Sequence, residues 1–181
     1  LTGLLQGPTD LVSLALCNHE LGNVYPIADL AALVHTHGAL FHCDAVQAVG
    51  RIPVSVRDLD IDLLSLSAHK LFGPKGVGAL YIRPSRPQPK RSHTTSTGQP
   101  RPGKKDAPAG PPALPSLNAL PALIHGGPQE RGRRAGTENV LGIVGLGAAA
   151  GLAEHDLLAR WQQVRALRDD LEAQLLATVP G

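Results

Sequence analysis

Three short apolar runs end in residues that can do chemistry. Residues 11–17 are followed by Asn18-His19-Glu20, residues 39–43 by Asp44-Ala45-Val46-Gln47, and Leu63–Ser67 continues into Ala68-His69-Lys70. A lysine amine condenses with an aldehyde to an imine. A carboxylate keeps a heterocyclic nitrogen protonated, so that the ring draws electrons from a carbanion formed beside it. Hydroxyls and imidazoles hold phosphate. Pyridoxal phosphate makes all of these demands: Lys70 meets the first and Asp44 the second, while Ser67 and His69 stand beside the lysine as phosphate donors. Taken singly, each has a plainer reading, since an Asp after a strand commonly caps a helix and a lone Lys is usually a solvated charge.

These residues meet only if the runs are neighbouring strands whose ends share one edge. Residues 27–37 carry apolar side chains at helical spacing (Ile27, Leu30, Ala31, Val34) with Gly38 as the stop. Leu63–Ser67 and residues 77–82 are further short apolar runs, bounded by Gly73, Pro74 and Gly76. This alternation predicts an α/β fold: a central, mostly parallel sheet flanked by helices and covered on both faces, with ligands at the carboxyl ends of its strands. Farther on, a Gly- and Arg-rich loop over 124–137 leads to a closely packed, buried helix over 139–154. A second, amphipathic helix over 156–179 follows, with Asp156 at its start and Leu157, Leu158, Trp161, Val164, Leu167, Leu171 and Leu175 on one stripe.

Among 181 residues with a formal net charge of +2, Arg86, Lys90, Arg91, Arg101, Lys104 and Lys105 face only Asp106 within one Pro-rich stretch. That stretch reads as solvated and disordered rather than as a surface for nucleic acid or lipid. The expected organisation is an α/β region over 1–83, a disordered Pro-rich basic insertion or linker over 84–120, and the remainder of the domain over 121–181. The last part includes the start of a helix leading to a further domain. No apolar run approaches bilayer length and no basic segment with an apolar stretch opens the chain, which predicts a cytoplasmic protein without a membrane span. Cys17 and Cys43 sit in apolar runs and read as buried free thiols, with neither a disulfide nor a metal site. The chain starts at Leu1 and contains no Met, which reads as a fragment.

Residues 42–50 (HCDAVQAVG) followed by 67–81 (SAHKLFGPKGVGALY) resemble the core of the class V aminotransferase family, and within it the cysteine desulfurases and the related selenocysteine lyases. Residues 18–22 (NHELG) are similar to the family's Asn-Asn-Glu-x-Gly, and residues 125–137 (HGGPQERGRRAGT) to its glycine-rich segment. Four motifs in order carry weight that one would not. The resemblance implies part of the large cofactor-binding domain of fold type I pyridoxal phosphate enzymes, with a Schiff base at Lys70 and Asp44 at the pyridinium nitrogen. It places Gln47 at the ring's phenolic oxygen, Ser67 and His69 at the phosphate, and Thr137 at the phosphate of a neighbouring subunit's cofactor, hence a homodimer with shared sites.

His19 departs from the pattern: it stands where the family has an Asn near the ring oxygen and the substrate carboxylate, an imidazole in place of an amide. The implied reaction converts L-cysteine to L-alanine, with sulfur left on an enzyme cysteine for iron–sulfur cluster assembly and a possible acceptor protein. Neither Cys17 nor Cys43 matches the family's sulfur-accepting position, and its substrate arginine and ring-stacking histidine have no counterpart here, so the fragment alone is expected to be inactive. Another class V reaction, such as an aminotransferase, a β-lyase or a selenocysteine lyase, stays open, as does a non-catalytic remnant.

Overall fold

The computed structural model describes residues 1–84, 117 and 120–179. Four strands, β1 (Leu11–Ala15), β2 (Leu40–Asp44), β3 (Leu63–Ser67) and β4 (Gly78–Ile82), lie side by side in chain order. The β1–β2 and β2–β3 pairs are parallel, and β4 returns antiparallel to β3. Between β1 and β2 runs α1 (Ile27–Thr36). The expected mixed α/β sheet is therefore present, with strand limits within two residues of the apolar runs. The predicted insertion over 84–120 lies outside the described residues apart from Pro84, Leu117 and Leu120.

Side chains alternate between faces along a strand, and here the two faces differ. One presents Val12, Leu14, Phe41, Cys43, Leu64, Leu66 and Tyr81 to Ile27, Ala31 and Val34 of α1, forming the main core. Phe41, Ile27 and Val34 are fully buried, each contributing about 1.5–3 kcal/mol. Leu40 and Leu63 at the starts of β2 and β3, Ile82 at the end of the antiparallel β4, and Leu117 close the opposite face there. Toward the strand ends that face turns polar, with Ser13, His42, Asp44, Ser65 and Ser67 on it. Cover on both faces, as expected from the apolar runs, needs correcting: on this second face Leu11 is 48% exposed and Leu80 55% exposed. Its polar residues occur at every second position, a pattern hidden when each run is read as uniformly apolar.

Beside the core lies a buried charge. Asp62, just before β3, accepts a hydrogen bond from the Phe41 N–H at 2.9 Å and lies 2.8 Å from His35 Nε2 and 3.5 Å from Arg83 Nε. Arg83 also donates to the Ile61 carbonyl at 2.9 Å and to Asp60 Oδ1 at 3.0 Å. One carboxylate thus ties the last turn of α1, the second residue of β2 and the exit from β4 together. A buried charge persists only when paired and hydrogen-bonded in this way.

Downstream, the short helix α2 (Gln129–Gly132) precedes α3 (Val140–Thr178). Asn139 caps α3 by accepting from the Gly142 N–H at 3.0 Å. The sequence pattern predicts two helices with Asp156 starting the second, whereas the structure has one. Strong helix formers flank the predicted break on both sides, and Asp156 bonds sideways to His155 and Arg160 instead of capping. The expected burial of the first half also needs correcting. Among the described residues it packs mainly through a stripe of small residues, Gly142 against Val77, Gly145 against Pro74, and Ala149 and Ala153 against Leu71, with Leu146 half-buried beside them. Leu141, on the opposite side, is 87% exposed.

The amphipathic stripe of the second half, Leu158 through Leu175, is exposed as well. By length and composition α3 reaches the threshold of a membrane-crossing helix, with an 18-residue window of mean hydropathy 1.3. This differs from the expectation that no apolar run approaches bilayer length.

Asp62→Ala is expected to destabilise the chain by about 3 kcal/mol or more, because the buried charge network loses its centre. Asp62→Asn should cost less, since its amide oxygen still accepts from the Phe41 N–H. Chemical denaturation of both variants checks this, and wild-type stability in Asp62→Ala contradicts it.

Candidate functional site

Because β1, β2 and β3 run parallel, their carboxyl ends fall on one edge. Asp44 closes β2, with Ala15 and Ser65 as its register partners. Both neighbours are small, which leaves space beside the carboxylate. Its Oδ1 accepts the Val46 N–H at 2.9 Å, fixing the side chain against its own turn as Asx residues do. Gln47 lies half-buried in the same turn, which is closed by hydrogen bonds from the Ala48 and Val49 N–H groups to the Ala45 carbonyl.

Beyond β3 the chain enters a 3-10 turn, Ala68–Leu71, that carries Lys70. The Ala68 N–H donates to the Val77 carbonyl at 3.1 Å, and the Gly73 N–H to the Ala68 carbonyl at 2.9 Å. Phe72 ends the turn at φ 63, a left-handed conformation uncommon for a bulky side chain. The Arg160 guanidinium of α3 sits over its ring at 5.5 Å. From the same helix, Ala149 and Ala153 press on Leu71 and Gly73. Gly78, where β4 begins, admits the close approach of β3: a Cβ there would lie 2.6 Å from the Leu66 carbonyl oxygen. The lysine turn is therefore held from two sides. Lys70 itself is half-buried and forms no ion pair among the described residues. Next to it Ser67 Oγ and His69 Nδ1 are 2.8 Å apart, with His69 exposed.

The remaining expected residues stand farther apart. His19 is exposed in the turn after β1, which Asn18 organises by accepting the Glu20 and Leu21 N–H groups at 2.9 and 2.8 Å. Its Nε2 lies 3.7 Å from Glu20 Oε1. Thr137 is exposed just before α3, following α2, whose inner residues Glu130 and Arg131 depart from helical geometry at φ 48 and 59. Among the described residues no hydrogen bond joins His19, Gln47 or Thr137 to Lys70. Ser13 and His42, unremarked in the sequence, do belong to the Asp44 face: Ser13 Oγ lies 2.7 Å from His42 Nδ1 across the ladder. Their signal was available as single polar residues in apolar strands, in phase with Asp44.

Both cysteines are free. Burial pushes the Cys43 thiol up to about 11, with the Asp44 and Cys17 charges adding to it. Burial also raises the Cys17 thiol, against the opposing charge of Arg51. Neither is poised as a thiolate nucleophile near neutral pH.

A strand-end carboxylate with small neighbours, a lysine amine on a braced turn and a hydroxyl–imidazole pair suit pyridoxal phosphate: the carboxylate for the ring nitrogen, the amine for the aldehyde, and the pair for the phosphate. Placed at the carboxyl edge of a mostly parallel sheet, such a donor set defines a cofactor-binding α/β domain. The family model for class-V aminotransferases matches residues 1–100, and the chain belongs to that family, whose enzymes depend on pyridoxal phosphate.

The chain is 47% identical over 171 residues to a cysteine desulfurase of Gluconacetobacter diazotrophicus, covering 94% of this chain and 35% of the relative. To a cysteine desulfurase of Cereibacter sphaeroides it is 49% identical over 170 residues, covering 94% and 35%. Among solved structures, a NifS-like protein aligns with TM-score 0.71 at 37% identity, over 93% of this chain and 38% of that one. DndA from Streptomyces lividans aligns with TM-score 0.69 at 35% identity, over 94% and 40%. The chain thus spans about a third of the length of the curated relatives it matches.

A pKa of about 11 leaves on the order of one Cys43 thiol in a thousand ionised at pH 8. Titration with a thiol reagent at that pH should label Cys17 well before Cys43, and both rapidly in denaturant. Equal rates for the two in the native chain contradict the burial described.

Proposed function

We propose that the full-length protein is a pyridoxal phosphate-dependent cysteine desulfurase that converts L-cysteine to L-alanine and leaves the sulfur on an enzyme cysteine as a persulfide. The observation that carries this reading is the common edge on which Asp44, Ser67 and Lys70 fall, in a chain 42–49% identical to named cysteine desulfurases. When bound, pyridoxal phosphate supplies an electron-accepting ring next to the α-carbon of the amino acid.

In this reading Lys70 Nζ anchors the aldehyde carbon and moves the proton at the substrate carbon. Asp44 holds a proton on the ring nitrogen with the oxygen that Val46 does not occupy, and Gln47 hydrogen-bonds the ring oxygen. Ser67 and His69, already paired at 2.8 Å, hold the phosphate. His19 faces the substrate side in place of an amide, and Thr137 reaches the phosphate in a second subunit, which makes the active form a homodimer. Cys43, buried and protonated, and Cys17, whose thiol burial also raises, do not serve as the sulfur acceptor, so the reading places that thiol elsewhere in the full-length protein.

In the domain organisation proposed, residues 1–83 and 121–181 form one cofactor domain interrupted by an insertion, and α3 leads into a further domain. The exposed stripe on the second half of α3 supports this, because it offers an apolar face with no described partner. The relatives are bacterial, and a cytoplasmic site of action, with sulfur passed to an acceptor protein, belongs to the same reading. A second reading rests on His19: the changed donor at the substrate side favours selenocysteine or another amino acid within the same class of reaction.

Full-length protein loaded with pyridoxal phosphate should show the visible absorbance of the lysine-bound cofactor. Lys70→Ala should abolish that band and lower alanine formation from L-cysteine by about a hundredfold or more. A band that persists in Lys70→Ala overturns the assignment, and turnover of L-selenocysteine but not L-cysteine selects the second reading.

A further inference from the structure

Behind Asp44, on the same face of β2, stands a histidine that the proposed reaction does not use. His42 precedes Asp44 by two residues, so both side chains leave the sheet on one side. Its Nδ1 lies 2.7 Å from Ser13 Oγ on the paired strand, an interaction that fixes the ring's direction. Around it β1 contributes Ser13 and β3 contributes Leu63 and Ser65, none of them charged at neutral pH. Asp44 is the charge that acts on this imidazole: burial draws the His42 pKa below its ordinary value while the Asp44 carboxylate draws it back up.

We propose that Ser13 and His42 form a positioning pair behind Asp44, in which the His42 imidazolium and the cofactor's protonated ring nitrogen compete for one carboxylate. The inference rests on the reading that Asp44 receives that nitrogen. Ser13 supplies the orientation and His42 the charge. With the cofactor absent, the Asp44 carboxylate offsets part of the burial that disfavours a proton on His42. Once the ring nitrogen occupies the carboxylate, two cations would share one anion, so a proton on His42 is disfavoured further. By reciprocity a protonated His42 weakens cofactor seating. The sign follows: affinity is full where His42 is neutral and falls as pH drops through its titration. His42 touches no reacting atom and acts only through Asp44.

The test follows the His42 imidazole by NMR in the full-length protein, identified among the eight histidines of this chain by its loss in His42→Gln. The titration midpoint should fall when Asp44 is replaced in the cofactor-free protein (Asp44→Asn), and should fall similarly when pyridoxal phosphate binds the wild type. In parallel, wild-type affinity for the cofactor should drop from pH 8 to pH 6 by about twofold more than that of His42→Gln. A midpoint unmoved by Asp44→Asn overturns the pair, whether or not cofactor binds. So does cofactor binding that leaves the midpoint in place. Failure of the wild type to bind pyridoxal phosphate while Asp44→Asn still shifts His42 overturns the proposed function and leaves the coupling of His42 to Asp44 standing.

Discussion

Everything at the candidate site depends on the parallel register of the first three strands. Ala15 pairs with Asp44, and Asp44 with Ser65, so residues far apart in the chain arrive at one edge with their side chains on one face. A slip of one residue in β2 would turn Asp44 into the α1-packed core and bring Cys43 to the site face. Register is therefore a chemical constraint as well as a structural one. The core enforces it, since the fully buried Phe41 would be expelled by the same slip. Asp62 adds a second check at the far end of the sheet, because its bond to the Phe41 N–H exists only in this alignment.

The lysine lies beyond the reach of that register and needs separate support. Its turn leaves β3, doubles back through Phe72 in a left-handed conformation and rejoins the sheet as β4. Strain of this kind persists where surrounding contacts over-determine it. Here α3 supplies them: alanines against Leu71 and Gly73 from one face, and Arg160 over the Phe72 ring. Small residues on α3 bring the helix axis close to the turn, so that stripe is buried while most of the large apolar side chains of the same helix are exposed.

Much of this was legible in the sequence. The strands, α1 and the polar residues at the strand ends follow from apolar runs and their stops, because local propensity and tertiary structure agree there. What escaped was non-local. Ser13 and His42 look like isolated impurities in apolar runs until strand pairing sets them face to face. Asp62 looks like a surface charge until His35 and Arg83, each more than twenty residues away in sequence, converge on it. Asp156 satisfies the sequence rule for a helix start, yet nothing around it breaks a helix, and its carboxylate finds side-chain partners instead. Whether a helix is buried all round or along one stripe depends on what lies beside it, and composition does not record that.

The central claim is that one edge of the sheet presents Lys70 to a cofactor whose ring nitrogen meets Asp44. Borohydride reduction of the pyridoxal phosphate-loaded full-length protein, followed by peptide mass mapping, tests it most directly. The expected product is a pyridoxyl group on Lys70. A label on Lys75 or on any other lysine, with Lys70 unmodified, would contradict it.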